Sequence, residues 1–353
     1  MRSTLATRLI HNLTHRIRFP AGPPPNSFRL EKLNPKPYTF EELPDRPVFI
    51  AREDLQVGKG RWSQVYRGSL QSVSTKYDGT SFSDSKETQD VVLKVFKKSL
   101  FPGQIYFFNR HKRCREKGIS PWWNQSTEEH MCWSEVFSYL TLASLQGKSI
   151  PKFIDAYMVK SPDSDEESMA IAMSHVGGRP IFQVCQELGA DNDPDPGLWY
   201  PIALEMLRTA HLMRQKGIIA RDLRDVNILV DENHAKESPS NYTLKIIDFA
   251  TAEPSKYVLG GDGKAVFDEI LDVVMMEVLI AKICGNEQEH PVGWDLDGPT
   301  RRRSEFLKWL EKNYGDEQFV KDYWFSLEKC VYDDYCYEPS RGPDYRNYFP
   351  GPM

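Results

Sequence analysis

Ile218-Ile219-Ala220-Arg221-Asp222-Leu223-Arg224-Asp225-Val226-Asn227-Ile228-Leu229-Val230 is the stretch on which the fold of this 353-residue chain turns. Two β-branched runs flank a charged loop, so the pattern reads strand, loop, strand. Asp222 and Asn227 share that short loop, and together they can offer a base and a metal ligand to one substrate. Each residue type has a chance of roughly one in twenty at any position, so Arg221, Asp222, Leu223 and Asn227 together are not a compositional accident. Downstream, Leu244-Lys245-Ile246-Ile247-Asp248-Phe249-Ala250 is an apolar strand that ends in a carboxylate. An Asp after a strand is usually a cap or turn residue; here, behind such a loop, it reads as a metal ligand.

Upstream, Val91-Val92-Leu93-Lys94-Val95-Phe96 is a β-branched strand with one lysine inside it. A buried ammonium costs several kcal/mol unless an anion meets it, so Lys94 calls for a phosphate or a carboxylate on the next helix. Glu135 stands at the start of a helical pattern, with Val136, Tyr139, Leu140 and Ala143 on its apolar face. Glu128 and Glu129 compete with Glu135 for the same lysine. Gly58-Lys59-Gly60-Arg61-Trp62-Ser63-Gln64-Val65 lies between two strand patterns, where glycines let a backbone pass close to phosphate oxygens. By themselves these glycines fit an ordinary hairpin turn equally well. Ser168 to Met173 reads as another strand, closed by Gly177-Gly178, and a long helix with Ile202, Met206, Ala210 and Met213 on one face stops at Gly217.

In this order, the segments from 58 to 248 resemble the eukaryotic protein-kinase superfamily. The resemblance implies an α+β, bilobal protein-kinase-like fold: an N-lobe antiparallel β-sheet with one main helix, and a mostly helical C-lobe. It implies that Gly58, Gly60, Ser63 and Val65 cover ATP, and that Lys94 holds its phosphates while paired with Glu135. Asp222 would orient the acceptor hydroxyl and take its proton, and Asn227 and Asp248 would hold Mg2+. Ser174 and Val176, with Met173 and His175, would meet the adenine through backbone groups, and Asp272 would brace the catalytic loop. The implied partners are ATP and a hydroxyl-bearing substrate, with Ser or Thr of a protein as the expected acceptor.

Several positions depart from the pattern. Ala220 replaces a histidine, Ala250 replaces the glycine after Asp-Phe, and Ser63 replaces the third loop glycine. Arg224 stands where Ser/Thr kinases carry a lysine that touches the transferred phosphate, and a guanidinium donates there with a different geometry. Only 24 residues (272 − 248) separate Asp248 from Asp272, and no Ala-Pro-Glu lies between them, so the platform for a protein substrate is trimmed. Two alternatives therefore stand beside a protein kinase. One is a small-molecule kinase of the aminoglycoside or choline type; the other is a nucleotide-binding pseudokinase scaffold. Arg221 would pair with a phosphorylated residue such as Thr251, Ser255 or Tyr257, or sit in a fixed internal ion pair.

The rest of the chain narrows the class. With 45 basic and 50 acidic residues the formal charge is −5, which argues against a nucleic-acid binder. No apolar run reaches membrane-spanning length. Six scattered cysteines without a CxxC pattern read as thiols in a reducing, intracellular compartment. Met1 to Leu30 holds no acidic residue and several arginines, and Leu5, Leu9, Leu13 and Ile17 recur every fourth position. That composition suits an amphipathic mitochondrial transit peptide or a disordered basic tail, leaving a cytoplasmic or mitochondrial location. The expected organisation is a basic extension over 1–27, an extended linker over 28–52, an N-lobe over 53–176 and a C-lobe over 177–353.

Overall fold

Strands rich in β-branched residues dominate the first half of the chain. The structure, a computed structural model, describes residues 9–25, 30, 32–44, 47–56, 63–71, 90–100, 127–160, 166–181, 183–184, 187, 196–220, 222–231, 243–254, 299–321 and 323. The chain divides into two units, one of Met1–Gly147 with Pro151–Val176 and the other of Lys148–Ile150 with Gly177–Met353.

The first unit contains β1 (Ile10–Arg18), β2 (Thr39–Glu42), β3 (Val48–Gln56), β4 (Gln64–Gln71) and β5 (Asp90–Phe96), then helix α1 (Glu128–Thr141) and strands β6 (Phe153–Lys160) and β7 (Glu167–Ser174). All neighbours are antiparallel, in the order β2-β1-β3-β4-β5-β7-β6. β1 also pairs with β6, from Asn12↔Lys160 to Arg16↔Tyr157, so β1, β3, β4, β5, β7 and β6 close into a barrel and β2 hangs on β1. Register shifts at Leu13/His15 and within the β3–β4 and β6–β7 pairs are the bulges that bend a sheet toward closure. Leu13, Phe49, Tyr66, Leu93, Tyr157 and Ala170 are among the side chains that fill its core. Gly68 is required where β3 and β4 approach, since a Cβ there would lie 2.0 Å from the Ile50 carbonyl oxygen.

This closure corrects the sequence reading of the N-terminus. The four-residue spacing of Leu5, Leu9, Leu13 and Ile17 suggested a helical face, yet Ile10–Arg18 is a strand with Leu13 and Ile17 each 2% exposed. A spacing of four fits one face of a helix and, being even, also one face of a strand. Long-range pairing with β3 and β6 decided between them. β2 and the beginning of β3 lie within the stretch 28–52. The antiparallel sheet expected of the first unit is present, and β1 closes it into a barrel.

α1 starts at Glu128, ahead of Glu135, because Thr127 caps it by accepting from the His130 N–H, with Glu128 and Glu129 at its positive end. Leu140, expected on the apolar face, is 51% exposed, and Ala143 begins a separate 3-10 turn. Val136 and Tyr139 are buried as expected, and burial extends to Glu129, Cys132, Trp133 and Glu135 among others.

The second unit contains β8 (Arg179–Pro180), α2 (Pro196–Gln215), β9 (Ile218–Ile219), β10 (Ile228–Asp231), β11 (Thr243–Ile246), β12 (Glu253–Pro254) and α3 (Pro299–Tyr314). β10 lies between β11 and β8, and β9 pairs with β12. α2 buries Ile202, Met206 and Met213 and ends before Gly217, whose φ of +84° is open to glycine. Trp199 and Tyr200 of α2 meet Phe306 of α3 at 5.1 and 5.3 Å between ring centroids. Among the described residues no helix is long and apolar enough to cross a membrane.

Candidate functional site

β5 is buried on both faces, which is why it reads as an unbroken apolar run. Val91, Leu93 and Val95 point into the barrel core, so Val92, Lys94 and Phe96 point to the other face, against which α1 packs. There the Lys94 Nζ donates to Glu135 Oε2 at 2.6 Å, with side chains 6% and 0% exposed. The structure thereby settles which carboxylate meets the lysine. Glu129 instead bonds Lys36 and Tyr38. Lys94 Nζ also lies 5.2 Å from the Phe96 ring centroid.

Val65 is the cross-strand partner of Lys94 on β4, and Ile171 is its partner on β7, so all three share one face. Ser63 is buried just before β4. Gly58 and Gly60 lie outside the described residues. Ser174 and Val176 sit at and beyond the end of β7, but the Ser174 N–H donates to the Lys152 carbonyl and the His175 N–H to the Asp90 carbonyl. Neither of those two amides is open to a ligand.

In the second unit the loop between β9 and β10 holds the other residues. Asn227 Nδ2 donates to the Asp222 carbonyl at 3.0 Å and to its Oδ2 at 3.2 Å, bracing the carboxylate. The Ile247 N–H donates to the Asn227 carbonyl at 2.9 Å, which ties this loop to the residue preceding Asp248. Arg224 grips Asp222 with both arms, Nε to Oδ1 at 2.6 Å and Nη2 to Oδ2 at 2.8 Å. Burial holds the Asp222 carboxyl above its ordinary range; Arg224 pulls it back and the Asp248 carboxylate pushes it up again. Raised basicity makes a carboxylate a stronger proton acceptor.

Asp248 has a φ of +69°, the one positive value among described non-glycine residues. This backbone costs an ordinary L-residue about 1–2 kcal/mol, and Asp tolerates it because its short side chain bonds locally, here accepting from the Ala250 N–H at 3.3 Å. Strain of this kind collects at functional positions. With its amide nitrogen spent on Asp222, Asn227 keeps its carbonyl oxygen as the acceptor end. Asn227 and Asp248 thus offer hard oxygen donors, the type that Mg2+ takes. Among the described residues no group of three His, Cys, Asp or Glu gathers as a metal cluster. Arg221 and Asp272 lie outside the described residues, as do Ser255 and Tyr257. Thr251 is described, and its hydroxyl donates weakly to the Ala220 carbonyl at 3.5 Å.

The sequence reading missed Lys36 and Tyr38, which sit in a stretch without periodicity and reach Glu129 only through the fold. It also missed the bidentate grip of Arg224 on Asp222, for which an Arg two residues from an Asp was the available signal.

No family model matches the chain, and no curated protein matches it. Among solved structures, WaaP in complex with acyl carrier protein is similar to it at 11% identity, covering 77% of this chain and 87% of that one, with a TM-score of 0.40. A TM-score this low does not establish a common fold.

Proposed function

We propose that this chain is an ATP- and Mg2+-dependent phosphotransferase that moves the γ-phosphoryl group of ATP to a hydroxyl, with Ser or Thr of a protein as the acceptor. The observation that carries this reading is the Asp222–Asn227 brace, with the strained Asp248 tied to the same loop. The buried Lys94–Glu135 pair supports it from the first unit, since an ammonium held rigid in an apolar strand is a point charge ready for phosphate oxygens.

On this reading Asp222 orients the acceptor hydroxyl and receives its proton as the oxygen–phosphorus bond forms and the bond to the β-phosphate oxygen breaks. Asn227 and Asp248 would hold Mg2+, which supplies charge neutralisation on the phosphate oxygens. Arg224 holds both Asp222 oxygens in the structure, and a carboxylate with about four acceptor sites can take the incoming hydroxyl beside that fork. The short stretch between Asp248 and Asp272 favours a second acceptor class, a small amino-alcohol.

The test is transfer of labelled phosphate from ATP with Mg2+ to generic protein and amino-alcohol acceptors. Asp222→Asn should lower transfer by about 10²–10⁴-fold. Unchanged transfer in that variant overturns the assignment of the base. Stabilisation of the chain by ATP without any labelled product would favour a scaffold.

A further inference from the structure

α1 is buried on opposite sides, which an ordinary amphipathic surface helix is not. Glu135 and Tyr139 face β5 and β7, where Glu135 meets Lys94 and the Tyr139 hydroxyl reaches Met173 Sδ at 3.3 Å. Glu129 and Trp133, one turn apart, lie on another side, since two residues from 133 to 135 turn the helix through about 200°. That side meets Phe19, Gly22, Lys36 and Tyr38, described residues between β1 and β2. Lys36 Nζ donates to Glu129 Oε2 and to the Leu30 carbonyl, both at 2.9 Å, and the Tyr38 hydroxyl donates to Glu129 Oε1. Trp133 Nε1 donates to the Gly22 carbonyl at 3.0 Å, and the Phe19 ring stacks on Trp133 at 5.5 Å and 23°. Burial and the Glu129 carboxylate hold the Tyr38 hydroxyl far above its ordinary pKa, so it stays a proton donor.

We propose that Phe19 and Gly22, with Lys36 and Tyr38, form a built-in clamp on α1: Lys36 and Tyr38 hold Glu129, and Phe19 and Gly22 hold Trp133, so that the helix is fixed in the rotation that delivers Glu135 to Lys94. Lys36, Tyr38, Glu129 and Trp133 are positioning residues that act through Glu135. The consequence for phosphoryl transfer rests on the function proposed above; the delivery of Glu135 does not. A helix held from one side only can roll on the sheet. Holding it from both sides removes that freedom, with ionic bonds setting the axial position and ring stacking setting the rotation.

The experiment reads the coupling between Lys94 and Glu135 in the full chain, through the unfolding equilibria of Lys94→Met, Glu135→Gln and the double variant. In the intact background the coupling should be about tenfold in the unfolding constant. In a background carrying Lys36→Met, Tyr38→Phe and Glu129→Leu, which removes the polar cluster and leaves no orphan charge, it should fall to near one. Lys36→Arg alone should preserve it. Coupling that stays about tenfold in the loosened background overturns the clamp, whatever happens to overall stability. If the triple variant fails to fold, Tyr38→Phe alone decides: a twofold or larger loss of coupling supports the clamp, and none refutes it. Transfer from ATP, measured alongside, should drop about 10²-fold in the loosened chain. A wild-type chain that transfers no phosphate while losing coupling on loosening would sink the proposed function and leave the clamp standing.

Discussion

Lys94→Met tests the buried ion pair on stability alone. The substitution keeps the length and the apolar stem of the side chain, removes the ammonium and leaves Glu135 with 0% exposure against an apolar strand. Breaking a buried pair from one side costs about 3–5 kcal/mol, because the remaining charge keeps its desolvation penalty and loses its partner. In a unit of this size that corresponds to roughly 6–20 °C in Tm. Lys94→Met/Glu135→Leu removes both charges and should recover most of the loss, to within about 1 kcal/mol of wild type. The assay is urea unfolding of the full chain, with hydrogen exchange of β5 and α1 peptides as the local probe, since two units need not unfold together. Two results would refute the reasoning: a single variant that costs under about 1 kcal/mol, or a double variant that loses the sum of the singles. Either would mean that Lys94 and Glu135 are solvated in solution and not held against each other.

Further predictions rest on particular contacts. Asp222 has its folded-state pKa raised by burial, so the cost of ionising it is absent below the ordinary carboxylate range and fully present above the folded-state value. Asp222→Asn should therefore be more stable than wild type near neutral pH, a gain that fades as the pH falls through the ordinary carboxylate range. Arg224→Ala removes the cation that restrains that pKa, and the acidic limb of the rate profile should move to higher pH. At Asp248, the φ of +69° makes Asp248→Gly neutral or stabilising and Asp248→Ala costly by about 1 kcal/mol in thermal unfolding, while both should lose any Mg2+-dependent stabilisation by ATP. Leu13→Ala, in the strand that closes the barrel, should cost about 2–5 kcal/mol, and deletion of residues 1–27 should prevent the first unit from folding, read by hydrogen exchange and gel filtration. A soluble, fully protected barrel without residues 1–27 would mean that β1 is dispensable.

Legibility followed the range of the forces involved. β5 and β7 were visible in the sequence because strands buried on both faces leave unbroken runs such as Val91 to Phe96. Asp222, Asn227 and Asp248 stood out because a loop between apolar strands with carboxylates and an amide has few uses. Helix α2 was visible through its 3.6-residue period and its glycine stop. The N-terminus misled because Leu13 and Ile17 satisfy a helix and a strand alike.

Local order and side-chain type alone fixed which residues are candidates for chemistry: a lysine in a strand, a loop with Asp and Asn, an Asp behind a strand. Only tertiary packing decided that Ile10–Arg18 closes a barrel and that Glu135 rather than Glu128 or Glu129 meets Lys94. The physical reason is that these choices compare partners far apart along the chain. Lys94 and Glu135 are 41 residues apart, and Lys36 and Glu129 are 93 apart, so no local period encodes which pair forms. Burial energy and charge pairing across the folded unit make that choice.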